Sequence, residues 1–327
     1  MRRRGWQRWG DGVGLALVGM ALVALGGCSG AGDPAGGGGV VTALAVTPAA
    51  TTGYHLLRSW GMPKPNLPSG VAMGIVWNAQ NDHVYVVGGA PGLPRIIEFT
   101  TFGKLVKQWG TTGPAPGQFD NPSWLAIGPG GDSLYVADGG TVANTRIEKF
   151  TTRGAFVTQW GSLGSGAGQF DVIGGLATDP TGACVYAVDT DHDRIEKFTN
   201  TGTLLRMWGS KGTGPGQFNY PTGIAVDKSG NVYVADAENF RVQKFTANGA
   251  FLTSWGPFAN TAVGVLEGVG VGSTGAIFVV DAGDSEIKKF TNVGVPLTLF
   301  NGGSFGLALD SKGEVFTTAG GRVYVFI

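Results

Sequence analysis

The chain has 327 residues with 23 basic and 23 acidic side chains, 59 Gly and two Cys, and only 14% of it is charged. Setting aside residues 1–27 leaves 19 basic and 22 acidic residues, a slightly acidic body that lacks the basic face a phosphate-backbone partner requires. The abundant Gly and sparse charge suit many short strands joined by tight turns.

The chain opens with Arg2, Arg3, Arg4 and Arg8, followed by an apolar run of 13 residues from Val13 to Leu25. That run fits the core of an export signal and falls short of the roughly 20 residues of a spanning helix. It ends in Leu25-Gly26-Gly27-Cys28, which resembles the lipobox of bacterial lipoproteins. The resemblance implies that residues 1–27 are a lipoprotein signal peptide and that Cys28 is lipidated. It also implies that the protein sits in the bacterial cell envelope, extracytoplasmic, touching the membrane through the lipid anchor alone. Residues 28–53 are rich in Gly, Ala and Thr and read as a flexible tether with a reach of roughly 25–30 Å. Cys184 is then the one remaining thiol, so no intramolecular disulfide is expected. It sits in Ala183-Cys184-Val185-Tyr186-Ala187-Val188-Asp189 with no base beside it and reads as a small buried apolar side chain.

From residue 54 onward one pattern recurs. In its clearest form it runs from Gly216-Gln217-Phe218 to Trp255. Within it, Gly223–Asp227 is a short strand, Asp227-Lys-Ser-Gly230 a hairpin turn, and Asn231–Asp236 a second strand. Ala237–Asn239 turns the chain into a third strand, Arg241–Phe245, and Ala247–Gly249 turns it into a fourth, Phe251–Trp255. Trp60, Trp109, Trp160, Trp208, Trp255 and Phe300 end successive copies 45 to 51 residues apart. A period of this size marks a solenoid, propeller or array, and four antiparallel strands make one propeller blade. Residues 54–60 are a lone fourth strand, whereas residues 303–327 supply strands one to three without a fourth. The two fragments complement each other. The expected architecture is therefore an all-β, six-bladed propeller over residues 54–327, closed by its N-terminal strand.

The copy Pro-x-Gly-Ile-Ala-Val-Asp…Asn-Val-Tyr-Val-Ala-Asp-x-x-Asn-x-Arg-Val-Gln-Lys-Phe, residues 221–245, resembles the NHL repeat, which is carried by six-bladed propellers. Asp236, Asn239 and Arg241 fill that repeat's Asp-x-x-Asn-x-Arg pattern. Other copies depart from it. Asp189 is followed by His192 in place of Asn, and then by Arg194. Asp138 is followed by an insertion that displaces Asn144 and Arg146. Asp281 is followed by Asp284, with Glu286 at the Arg position. The first copy has Gly88-Gly89 in place of Ala-Asp. Such uneven erosion points to a scaffold pattern, with specificity sought where the copies disagree.

In a blade, the entry into strand one and the turn between strands two and three share one face. That face gathers the Gly-Gln-Phe loops and the candidate ligand-binding residues Asp138, Asn144, Asp189, Asp191, His192, Asp193, Asp236, Asn239, Asp281 and Asp284. The bland reading of the same residues is that the Asp side chains pair with Arg146, Arg194 and Arg241 while Phe119, Phe170 and Phe218 wedge between blades. Asp189, Asp191 and Asp193 begin like a calcium loop, but Arg194 stands at its sixth position and no Glu follows at the twelfth, so a solvated turn is expected. Asp179, Asp227 and Asp310 end the innermost strands of three copies and form the alternative metal set, although the Gly three residues on speaks for turn chemistry. His55, His83 and His192 all lie off the innermost strands, and no nucleophile–base order appears. No cofactor and no catalytic residue are expected. The reading is a binding or scaffold module for a protein, peptide or glycan of the envelope, with no nucleic-acid partner. The alternative is a metal-dependent lyase or hydrolase at the channel mouth, as in the amidating lyases and gluconolactonase-like hydrolases that this fold resembles.

Overall fold

The computed structural model describes residues 54–62, 73–90, 93–139, 145–256, 258, 266–302 and 305–327, all within a compact unit spanning Pro48–Ile327. Cys28, the tether and Asn144 lie outside the described residues. The described residues form six antiparallel sheets of four strands each, a six-bladed β-propeller. Blade 1 comprises β2 (Ile75–Asn78), β3 (His83–Ala90), β4 (Leu93–Thr100) and β5 (Leu105–Trp109). Blade 2 comprises β6 (Pro122–Ile127), β7 (Ser133–Asp138), β8 (Arg146–Thr151) and β9 (Phe156–Trp160). Blade 3 comprises β10 (Ile173–Thr178), β11 (Cys184–Asp189), β12 (Arg194–Thr199) and β13 (Leu204–Trp208). Blade 4 comprises β14 (Pro221–Val226), β15 (Val232–Asp236), β16 (Arg241–Phe245) and β17 (Phe251–Trp255). Blade 5 comprises β18 (Leu266–Val271), β19 (Ile277–Asp281), β20 (Glu286–Phe290) and β21 (Pro296–Asn301).

Blade 6 is made from both ends of the chain. β22 (Leu307–Leu309), β23 (Val315–Ala319) and β24 (Arg322–Phe326) accept β1 (Leu56–Gly61) as the outer strand, in the order β1-β24-β23-β22. Trp60 pairs with Val323, and Arg58 grips Glu314 with two hydrogen bonds of 3.0 and 2.5 Å. The expected closure is present, and it removes the free edges an open sheet would carry.

The second strands show why the ring holds. Val84 and Val86 pack toward blade 6, whereas Tyr85 and Val87 pack toward blade 2. The same alternation continues round the ring, so each of six apolar clusters lies between two neighbouring blades. Phe119, Phe170 and Phe218, all fully buried, belong to three of these clusters and do wedge between blades. Each blade is thus a layer whose two faces are both core. Inner strands approach closely at the centre: a Cβ on Gly223 would stand 2.7 Å from the backbone of Glu267 and Val269. Inside lies a cavity of about 250 Å³ lined by inner strands of all six blades, Trp77, Trp124, Leu176, Ile224, Val271 and Leu309 among them.

Candidate functional site: the loop face and channel mouth

The loops before β6, β10 and β14 are built alike. In blade 4, Gly216 donates its N–H to Gln243 Oε1 (3.0 Å), Gln217 Oε1 accepts from Gly214 N–H (3.1 Å), and Phe218 is buried below. In blades 2 and 3 the acceptor for Gly117 and Gly168 is a carboxylate, Glu148 or Glu196. Each letter of the Gly-Gln-Phe pattern therefore has a structural task.

The Asp-x-x-Asn-x-Arg pattern completes the frame. Asp236 is fully buried. Its carboxylate accepts from Asn219 N–H (2.8 Å), Arg241 Nε (2.7 Å), Asn239 Nδ2 (2.9 Å) and Gln243 Nε2 (2.9 Å). Arg241 then donates onward to the carbonyls of Thr213, Gly214 and Gln217, tying the loop to the sheet. Arg194 repeats this with Asp189 and the carbonyls of Ser165, Gly166 and Gln169. Arg146 does so with Pro114, Ala115 and Gln118 and forms ion pairs with Asp138 (3.3 Å) and Glu148 (2.9 Å). Burial raises Asp138 to about 6 and Glu148 and Glu196 to about 7, outweighing the neighbouring guanidinium.

The departures from the pattern are resolved by geometry. His192 takes the place of Asn239: its Nδ1 lies 2.9 and 3.0 Å from the two Asp189 oxygens, and Nε2 points outward, 3.9 Å from Asp171. In blade 5 the sheet pairs Asp281 with Glu286, and the cation comes from Lys288, two residues on. Lys288 Nζ reaches Asp281 at 2.6 Å and Asp284 at 3.2 Å. Arg-x-Glu has become Glu-x-Lys, an exchange that the spacing of the signature alone does not reveal. In blade 1 the expected alignment shifts by one residue. Gly88, not Gly89, pairs with Arg95 and stands at the Asp position, because β3 and β4 run two residues further into the hairpin. Arg95 there donates to the Gly110 carbonyl.

The predicted site residues thus separate. Asp138, Asp189, Asp236 and Asp281 are buried and engaged within the chain, and Asn239 is a donor to Asp236. Asp193 is also buried; its Oδ1 accepts the N–H of Tyr220 (2.8 Å). Asp284 is paired with Lys288, and Asp191 is exposed on its turn. Asp179, Asp227 and Asp310 do not come together and do not line the cavity. Each accepts backbone N–H groups of its own hairpin: Cys184 for Asp179, Ser229 and Asn231 for Asp227, Lys312 and Glu314 for Asp310. Among the described residues no three His, Cys, Asp or Glu side chains are grouped as metal ligands, and the described cavity lining carries no ionisable side chain. Cys184 is half-buried against the cluster between blades 3 and 4, and burial pushes its thiol pKa up.

Sequence reasoning missed Tyr220 and Glu267. Tyr220 precedes β14 with a left-handed φ of 56°, a conformation held by the Asp193 bond. Glu267 is at the top of β18, one residue above the cavity lining, and a carboxylate there has no visible signal in a repeat where that position varies. Burial alone raises Glu267 to about 7, and among the described residues no hydrogen bond or ion pair offsets it. Burial raises Tyr220 to about 12, with Asp191, Glu267 and Glu238 adding their negative charge. Backbone contacts bring Tyr220 and these carboxyl-bearing residues together where blades 3, 4 and 5 meet: Glu238 donates its N–H to the Asn219 carbonyl, Asp193 holds Tyr220, and Thr222 Oγ1 donates to the Leu266 carbonyl beside Glu267.

Residues 218–245, the heart of blade 4, match the family model described as NHL repeat. The chain carries an NHL repeat. NHL repeat-containing protein 3 of Homo sapiens is 29% identical over 133 residues, 39% of this chain and 38% of that protein. Peptidylglycine alpha-amidating monooxygenase of Rattus norvegicus is 41% identical over 66 residues, 19% of this chain and 7% of that protein. The matched stretches thus span well under half of these curated relatives. A solved streptogramin B lyase structure shares the fold, with a TM-score of 0.57 at 13% identity over 84% of this chain and 97% of that one. At that identity the likeness speaks for architecture alone.

Proposed function

We propose that this NHL-repeat propeller is a binding or scaffold module, held by a lipid on Cys28 at the outer side of a bacterial membrane, whose loop face receives a protein or peptide of the envelope. The observation that carries the reading is the division of labour on that face. The signature carboxylates and guanidiniums fix the loops, and Tyr220, Glu267, Glu238 and Asp191 stand outside that frame where blades 3, 4 and 5 meet. Rigid rings with displayed loops suit recognition, and an aromatic among carboxyls suits a segment carrying Lys or Arg. The experiment is fluorescence polarisation with a peptide library graded in charge. Selective binding of cationic peptides, weakened at least tenfold by Glu238→Lys with melting unchanged, or by Glu267→Gln with melting not lowered, supports the reading. Indifference to charge, or equal binding to the variants, overturns it. Globomycin-sensitive processing and loss of membrane association in Cys28→Ser test the anchor separately.

The alternative, a metal-dependent lyase or hydrolase, takes its support from the short match to the amidating monooxygenase. It would need ligands at the mouth beyond those grouped in the described residues, and tight stoichiometric divalent-metal binding lost in Glu267→Gln would favour it.

A further inference from the structure

The turns between the third and fourth strands lie at the end of each blade opposite the loop face, and they are hydrogen-bonded identically. Thr100, Thr151, Thr199, Thr246 and Thr291 each donate N–H to the carbonyl four residues on. Their tips differ. Blades 2, 3 and 4 carry Arg153, Thr201 and Asn248, whereas blades 1 and 5 carry Phe102 and Val293, 77% and 61% exposed. Blades 1 and 5 are the two that flank blade 6, where β1 enters. Between them lie Leu56 and Leu57, 52% and 44% exposed, beside Ile327, whose backbone pairs with His55 in both directions. The arc is continuous. The Arg58 guanidinium lies 4.9 Å over the Phe102 ring, and on the other side Tyr54 stacks on Phe300 of blade 5 at 4.5 Å. Val295 and Leu297, 54% and 53% exposed, extend it. Exposed apolar residues at the start of the fourth strand occur in blades 2 to 4 as well, but apolar tips are confined to this arc.

We propose that the outer edge of blades 5, 6 and 1 rests on a lipid bilayer, an inference that builds on the lipid-anchor reading. The occupant follows from where the chain outside the described residues ends. The 26-residue segment that would lead from a lipidated Cys28 joins the propeller at Tyr54, in the middle of this arc. A tether with a reach of roughly 25–30 Å keeps that edge, rather than the far side of the ring, at the membrane surface. Apolar tips with Phe at the boundary gain from shallow insertion, adding a second, weak attachment to the acyl anchor in place of the anchor-only contact expected from the sequence. The loop face then points away from the lipid.

Hydrogen exchange on the full chain tests this. The wild-type protein reconstituted in phosphatidylethanolamine/phosphatidylglycerol vesicles is compared with the Cys28→Ser chain free in solution. The expected result is at least threefold slower exchange in segments 100–106 and 291–299, with segments 151–157, 199–205 and 246–252 unchanged. The triple substitution Phe102→Ser, Val293→Ser, Val295→Ser should abolish that protection while the protein stays anchored. Absence of protection in anchored protein, or equal protection in all five segments, overturns the docking and leaves the anchor reading intact. Arc protection that grows with protein concentration without lipid also overturns it, in favour of a second copy. If the wild type proves not to be anchored, added vesicles and the Cys28→Ser chain decide alone: arc protection supports the docking and its absence overturns it.

Discussion

Replacing Arg241 with Ala tests whether the signature residues are frame or ligand contacts. Arg241 donates to Asp236 at 2.7 Å and to three loop carbonyls at 2.7 to 2.9 Å. Removing one partner of a buried ion pair costs about 3–5 kcal/mol, because the remaining charge is left without compensation. Asp236 retains Asn219, Asn239 and Gln243 as donors, which places the loss near the lower end, about 3 kcal/mol. For a propeller of this size that is a fall of roughly 5–10 °C in melting temperature. The double substitution Arg241→Glu, Gln243→Lys reproduces the arrangement of Glu286 and Lys288. It should recover about half of the loss: the lysine can neutralise Asp236 but cannot span the three carbonyls. Denaturant unfolding measures both, and hydrogen exchange over residues 212–219 reports whether the loop is released. A loss under about 1 kcal/mol with the loop still protected would refute the idea that Arg241 holds this face together.

Deleting residues 54–60 removes β1, Trp60 from the cluster between blades 6 and 1, and the Arg58–Glu314 pair. Loss of this half-buried Trp together with the ion pair and the strand pairing is worth about 3–5 kcal/mol, so melting should fall by about 10 °C, and an unchanged melt would sink the closure. Glu267 gives a pH dependence. Its folded pKa of about 7 lies above the ordinary 4.5, so the folded state holds a proton that the unfolded state releases. The resulting stability is fully present below about pH 4.5 and is lost as pH rises through about 7. Glu267→Gln should flatten that slope and be more stable than wild type at pH 8 by about 2 kcal/mol, allowing for solvent access at the mouth; parallel pH profiles would contradict it. Gly249 has φ 79°, and a Cβ there would stand 2.5 Å from the Trp208 ring. Gly249→Val should therefore cost at least about 2 kcal/mol in denaturant, compared with near-neutrality for Asn248→Ala beside it.

The period of the pattern, the spacing of Trp60, Trp109, Trp160, Trp208 and Trp255, and the complementary fragments at the two ends make the six blades and their closure legible without coordinates. Local chemistry suffices there, because turns and strand alternation depend on residues within a few positions of each other. The pairing of Asp138, Asp189 and Asp236 with their Arg partners was legible for the same reason, since donor and acceptor share one hairpin, five residues apart in blades 3 and 4 and eight apart in blade 2. The Gly88 register was not, since a hairpin lengthened by two residues is invisible until the strands are paired.

What the sequence by itself determined is the blade, its number and its seam. What only the tertiary structure decided is which polar residues are left over once the frame is satisfied. Lys288 replaces an arginine two positions away, His192 offers one ring nitrogen in place of an asparagine amide, and Glu267 comes to lie near Tyr220 of the neighbouring blade. Those outcomes depend on how twisted sheets pack face to face around a closed ring. That packing sets burial and neighbourhood for residues far apart in the chain, and burial decides whether a carboxylate is a turn, a strut or a free group at the mouth.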